Sequence, residues 1–306
     1  MTCREIADGV YLIDTLPAGV PGLVASYLVR GEKSALIDAG HATSAKTVLS
    51  ELRTLGGGNP HLDYLIPTHV HLDHAGAISH LAKAIPNALV LVNEHGAKHM
   101  VDPTKLIQHQ EDLFGKESLS IFGAPAAVPR ERVESVRELC NLDLGAGKRL
   151  RLLWTPGHAP HHMSAFLENE RLLVTGDAVG LHYPGFDFPI PATPPPSFDE
   201  NQYVKTLSRF MDMNPAGLLL PHFGPVLENV TGFLQANLET IRRWGSDASR
   251  VLKVGGSVND IFELFITDIA GRAGKSRGEI PDLISKSIML SASGYDSYLQ
   301  KMRTKK

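Results

Sequence analysis

The chain has 306 residues, 43% of them hydrophobic and 21% charged, with a formal net charge of −3. That is long enough for one large domain or two smaller ones, and the mixture is ordinary for a globular protein. The charge balance gives no electrostatic reason to expect nucleic acid or an anionic membrane as a partner. The two cysteines, Cys3 and Cys140, are too few for a disulfide framework. The first residues lack a basic-then-apolar leader pattern, and no apolar run reaches membrane-spanning length. A cytoplasmic setting is therefore expected.

Residues 10–13 read as a first strand, and 23–29 with 35–37 as a hairpin turning at 31–33. The hairpin ends in Asp38, placed to cap the turn that follows. His41, just beyond, could line a metal cavity but reads rather as a surface or capping residue. Residues 43–55 have helical spacing, with Ala45, Val48, Leu49 and Leu52 on one face, and Gly-Gly-Gly-Asn-Pro at 56–60 stops them. Next comes a short apolar run, Tyr64-Leu65-Ile66-Pro67. It leads into Thr68-His69-Val70-His71-Leu72-Asp73-His74 and a helical run over 75–85. Side chains alternate at a strand end, so His69 and His71 can converge on one ion. Asp73 and His74, where the helix starts, can reach a second. Imidazole with carboxylate suits zinc, iron, manganese or cobalt. Asp73 equally fits a helix-start carboxylate, and that role does not exclude ligation. Gly76, two residues on, lets the helix approach closely.

A buried strand is expected at 88–92 and a short helix at 94–100, whose His95 and His99 read as surface or packing residues. Residues 102–132 are too long for a plain connection and read as a helical insertion, either a lid or a spacer. Strands follow at 133–139 and 149–154, the second running into Thr155-Pro156-Gly157-His158. His161 reads as exposed, whereas His162 could bond a ligand or touch substrate. A hairpin over 163–167 and 171–174 ends in Thr175-Gly176-Asp177. The stiff, aromatic stretch 178–197, with Tyr183 and Phe186, reads as a pocket wall or a core loop. An amphipathic helix at 199–211 turns Tyr203, Leu207 and Phe210 inward. A last strand at 217–220 ends in Pro221-His222. Helices are expected at 227–244, 258–270 and 281–299, with a basic tail at 301–306.

The His-x-His-x-Asp-His run in its strand-to-helix setting resembles the signature of the metallo-β-lactamase superfamily, over roughly residues 5–225. The resemblance implies an α/β, four-layer αββα sandwich as a catalytic domain at 1–225, inserted at about 102–132, with a helical C-terminal extension at 226–306. Within the superfamily the layout is similar to the glyoxalase II type and to the 2-aminobenzoylacetyl-CoA thioesterase type. By that resemblance His69, His71 and His158 hold one divalent ion and Asp73, His74 and His222 a second. Asp177 bridges them, and Asp38 orients the histidine loop. Two ions of zinc, iron or manganese are implied. They would activate a water that attacks an acyl carbon, with Asp73 and Asp177 as the catalytic carboxylates.

A small-molecule thioester of the acyl-CoA or acylglutathione type is the expected substrate, without nucleic acid or membrane partners and with a homodimer as an option. A lactone is the near alternative. Quorum-type lactonases usually carry Tyr three residues past the bridging Asp, where this chain has Gly180; Tyr183, further along, could take its place. A mononuclear iron oxygenase of the persulfide dioxygenase type is a further alternative on the same scaffold.

Overall fold

A computed structural model describes residues 2–304, so Lys305 and Lys306 of the basic tail lie outside the described residues. The chain divides into two compact units. The first comprises Met1–Trp154, His161–Gly176 and Ala216–Val226; the second comprises Thr155–Pro160, Asp177–Pro215 and Leu227–Lys306.

The first unit holds two sheets. One contains β1 (Cys3–Ala7), β2 (Val10–Asp14), β3 (Ala25–Arg30), β4 (Ser34–Ile37), β5 (Tyr64–Ile66), β6 (Leu89–Asn93) and β7 (Val133–Val136), paired in that order. The other runs from β8 (Leu139–Asp143) through β9 (Arg149–Trp154), β10 (Met163–Leu167), β11 (Leu172–Val174) and β12 (Gly217–Leu220) to β13 (Gly224–Val226). β4, β5 and β6 are parallel neighbours, and such strands are covered on both faces. The sequence obliges with unbroken apolar runs. Alternate residues sort to opposite sides, as the strand period requires. Leu36, Leu65 and Val90 pack with Val48, Leu52, Ile78 and Leu81 of the flanking helices. Ala35, Ile37, Ile66 and Leu91 meet Leu150, Leu152, Met163, Ala165 and Val174 of the second sheet.

The helices of this unit are α1 (Ala45–Leu55), α2 (Leu72–Ala75), α3 (Ile78–Ala84), α4 (Glu94–Val101), α5 (Thr104–Phe114) and α6 (Glu117–Phe122). The helix expected over 75–85 is thus two pieces with Gly76 at the junction. Any side chain at Gly76 would strike the Ala42 backbone. The strand expected over 133–139 is also divided. Its first half closes one sheet and its second half opens the other, crossing at the exposed Arg137 and Glu138. Residues 102–132 supply α5 and α6.

The second unit contains α7 (Glu200–Met213), α8 (Val230–Lys253), α9 (Val258–Arg272) and α10 (Asp282–Thr304). Its core is aromatic. Trp244 stacks on Phe265 at 4.0 Å, and Tyr295 lies edge-on to Phe265 and Phe198. Tyr203 of α7 packs on Phe198. One boundary between the compact units falls between Val226 and Leu227, and the second unit also takes in earlier segments. The loop and helix before that point share one apolar core with the helices after it. Among the described residues no helix is long and apolar enough to cross a membrane.

Candidate metal centre

In the first unit, β5 ends at Ile66 and the chain turns through Thr68–His71 into α2. Asp38, at the end of the neighbouring β4, adopts φ 57°, a left-handed backbone that Asp tolerates. Its buried carboxylate accepts from the Thr68 amide at 2.7 Å, the Thr68 hydroxyl at 3.0 Å and His74 Nδ1 at 2.9 Å. One carboxylate thus fixes two histidines. With its only proton given to Asp38, the Thr68 hydroxyl can only accept from His69 Nδ1, 3.1 Å away. His69 and His74 are both left with Nε2 as the lone-pair nitrogen. His69 Nε2 faces His71 Nδ1 at 2.9 Å.

His222 follows β12. Its Nδ1 lies 2.8 Å from the Leu23 carbonyl. A carbonyl only accepts, so here too Nε2 keeps the lone pair. That atom stands 3.3 Å from His74 Nε2 and 3.4 Å from Asp73 Oδ2, which is 3.5 Å from His74 Nε2. Three acceptor atoms thus meet at one point, all within 4.8 Å of one another. Without a positive charge among them they repel. A tetrahedron of donors about 2.1 Å from a central ion has edges of about 3.4 Å, so the spacing suits a zinc-like ion. Burial alone would raise the Asp73 carboxyl. Protonation of His74 and His222 outweighs that and holds it well below the usual carboxylate range; with both rings neutral, the balancing positive charge falls to an ion.

Two more histidines lie beside His69. His162 is fully buried, 5.1 Å from the His69 ring. Gly176 leaves room for it, because a Cβ there would collide with His162 Nε2. His161 was expected to be exposed but is half-buried, stacked at 6.2 Å over His69 and edge-on to His71. His41 is likewise not a surface residue. Its ring stacks on Phe122 of α6 at 4.2 Å. Burial pushes its imidazole down to about 4 against the pull of Asp73, so it is neutral at pH 7.

The second unit carries His158 and Asp177. Gly157 adopts φ 136° and lies flush on the Tyr203 backbone of α7, where a side chain would collide. The same helix takes the Pro156 carbonyl through the Thr206 hydroxyl at 2.7 Å. His158 Nδ1 is 2.9 Å from the Ala192 carbonyl, which leaves Nε2 as acceptor, 3.5 Å from Asp177 Oδ2. The Tyr203 hydroxyl donates to the Asp177 carbonyl at 3.2 Å. Tyr183 and Phe186 are both buried, as is Phe198, within the loop between β11 and α7. Neither cysteine resembles a reactive thiolate: burial raises the Cys3 thiol to about 11 and also raises that of Cys140.

Two sheets carrying a histidine and carboxylate donor set at their strand ends define a metal-binding α/β protein. Residues 19–222 match the Metallo-beta-lactamase superfamily, and the chain belongs to it. The superfamily's members are generally metal-dependent hydrolases, and this chain carries a His/Asp cluster able to hold a metal. Its relatives include the metallo-beta-lactamase fold-containing protein ST1585 of Sulfurisphaera tokodaii, 32% identical over 230 residues, 74% of this chain and 81% of that protein. The crystal structure of ST1585 superposes with a TM-score of 0.69, covering 94% of this chain and 98% of that one at 25% identity. The metallo-beta-lactamase family protein TTHA1429 from Thermus thermophilus shares the fold, with a TM-score of 0.68 at 20% identity over 98% of this chain and 95% of its own. The beta-lactamase-like protein 2 homolog of Caenorhabditis elegans is 24% identical over 78% of this chain and 68% of its own length.

Proposed function

We propose that the chain is a binuclear metal-dependent hydrolase of acyl thioesters. His69, His71 and His158 hold one divalent ion, Asp73, His74 and His222 hold the other, and Asp177 serves both. The observation that carries this reading is the triangle of Asp73, His74 and His222. Its donor atoms have a tetrahedral spacing, and hydrogen bonds from the remote ring nitrogens to Asp38 and Leu23 turn the lone pairs of both histidines inward. When bound, such a pair of ions lowers the pKa of a shared water from about 16 towards 7 and polarises the acyl carbonyl.

The protein's own part is placement. Asp38 keeps His69 and His74 in their ligating tautomers at a fixed separation. Positive charge among these residues, from protonated His74 and His222 or from a bound ion in its stead, favours the ionised Asp73 carboxylate. Neutral His41, stacked on Phe122, adds no competing charge beside the set. It borders the site with a ring that α6 of the insertion holds in place. No serine or cysteine nucleophile is required.

The thioester reading is favoured over the lactone by Gly180. Its φ is 75°, and any side chain there would collide with the Ile190 carbonyl. A tyrosine at that place, the lactonase feature, has no room in this loop. The test pairs metal analysis of the purified protein with a panel of acyl-CoA, acylglutathione and lactone substrates. Two ions per chain and acid released from thioesters support the proposal. One iron per chain with oxygen consumption, or turnover confined to lactones, contradicts it.

A further inference from the structure

The C-terminal helices have no ligand among the seven, yet one of them is tied to a ligand through a short chain of contacts. His158 Nδ1 is held by the Ala192 carbonyl at 2.9 Å. Ala192 lies between Pro191 and Thr193, and both of these are fastened to α10. The Ser291 hydroxyl donates to the Pro191 carbonyl at 2.9 Å and accepts from the Thr193 amide at 3.3 Å. The Thr193 hydroxyl donates to the Ser291 carbonyl at 3.2 Å. One turn on, Gly294 lets α10 lie flush on this segment, because a Cβ there would collide with the Thr193 carbonyl. Thr193 is fully buried and Ser291 is 1% exposed. These bonds are therefore made without competition from water, and breaking one leaves a buried polar group unsatisfied. Farther along, Lys301 reaches the Pro196 carbonyl.

We infer that Ser291 is a positioning residue for the metal site: it fixes the Pro191–Thr193 segment so that the Ala192 carbonyl holds His158 in its ligating tautomer and orientation. The inference rests on the reading that His158 ligates an ion. It gives the C-terminal extension a definite task, holding a ligand from behind. The physical warrant is that an imidazole ligand is only as well placed as the acceptor on its other nitrogen. Loss of such acceptors typically weakens metal affinity about 10- to 100-fold.

The test is a competition titration of full-length apoprotein with Zn2+ against a chromophoric chelator, run on wild type, Ser291→Ala, Thr193→Val and His158→Ala. Far-UV circular dichroism and the apoprotein unfolding midpoint are measured alongside. Wild type should bind two ions, and His158→Ala should identify which affinity belongs to its site. Ser291→Ala should weaken that same site about 10-fold or more and leave the other unchanged. Thr193→Val is nearly isosteric, disturbs the fold least, and should act in the same direction with a smaller effect. Wild-type affinities at both sites in a folded Ser291→Ala or Thr193→Val protein would overturn the inference, as would weakening confined to the site that survives in His158→Ala. If His158→Ala itself binds as wild type does, the ligand assignment fails instead, and the two failures are distinguishable.

Discussion

The loop from Thr68 to His74 and the stretch from Thr155 to Asp177 both present proposed metal ligands, but they hold them by different means. In the first, four ligand candidates lie within six consecutive residues, and one nearby carboxylate, Asp38, fixes two of the histidines. In the second, single ligand candidates arrive from separate turns. Each is held by a partner remote in sequence: the Ala192 carbonyl for His158 and the Tyr203 hydroxyl for Asp177. The first arrangement is a local motif carried by a strand end. The second depends on a helical core, and its geometry is only as sound as the packing behind it.

Several substitutions break or sharpen this contrast. The largest effect is expected at the proposed ligands themselves. Asp177→Ala should lower kcat by more than about 100-fold, the upper end of what loss of a supporting contact does, with the fold retained; steady-state kinetics beside circular dichroism checks this. Next is Asp38→Asn, which puts an amide where three donors converge. It should weaken metal binding about 10- to 100-fold, because both His69 and His74 lose their anchor. An unchanged affinity in a chelator titration would mean that the local motif does not depend on Asp38.

Smaller effects belong to the helical region. Gly180→Ala should cost about 1–2 kcal/mol in denaturant unfolding, from a strained backbone and a collision with the Ile190 carbonyl. Glu200, at the start of α7, sets a pH dependence. Burial, with Asp199 adding to it, raises its carboxyl from 4.5 to about 7. Between those values the folded chain holds a proton that the unfolded chain has lost. Its contribution is therefore complete below pH 4.5 and is lost as pH rises through 7. Relative to wild type, Glu200→Gln should gain about 1 kcal/mol more at pH 8 than at pH 4, a figure already reduced for the partial exposure of the group. Thermal unfolding at the two pH values reads this directly, and equal shifts would remove Glu200 from the account.

The same contrast explains what was legible in the sequence. The His69–His74 cluster can be read directly because its spacing is local and its flanking strand is an unbroken apolar run. The remaining candidates stand singly after strand ends, and only their order along the chain, which resembles a known pattern, points to them. β1 gives no strand signal in the sequence, because Cys3–Ala7 is only partly buried and has little apolar alternation; its register with β2 supplies the pairing. His41 and His161 read as surface residues because what buries them is non-local: Phe122 from the insertion in one case and the rings of His69 and His71 in the other. The role of the Ala192 carbonyl is invisible in the sequence, because a backbone acceptor leaves no trace in residue type. The grouping of the loop and α7 with the C-terminal helices is hidden for a similar reason. It is written in aromatic contacts such as Phe198 with Tyr295, 4.9 Å apart, between residues nearly a hundred positions removed.

The central claim is that seven side chains hold two ions, and anomalous diffraction from zinc-loaded crystals addresses it most directly. Two peaks are predicted, one coordinated by Asp73, His74 and His222 and one by His69, His71 and His158, with Asp177 touching both. A single peak, or ions bound away from these residues, would contradict it.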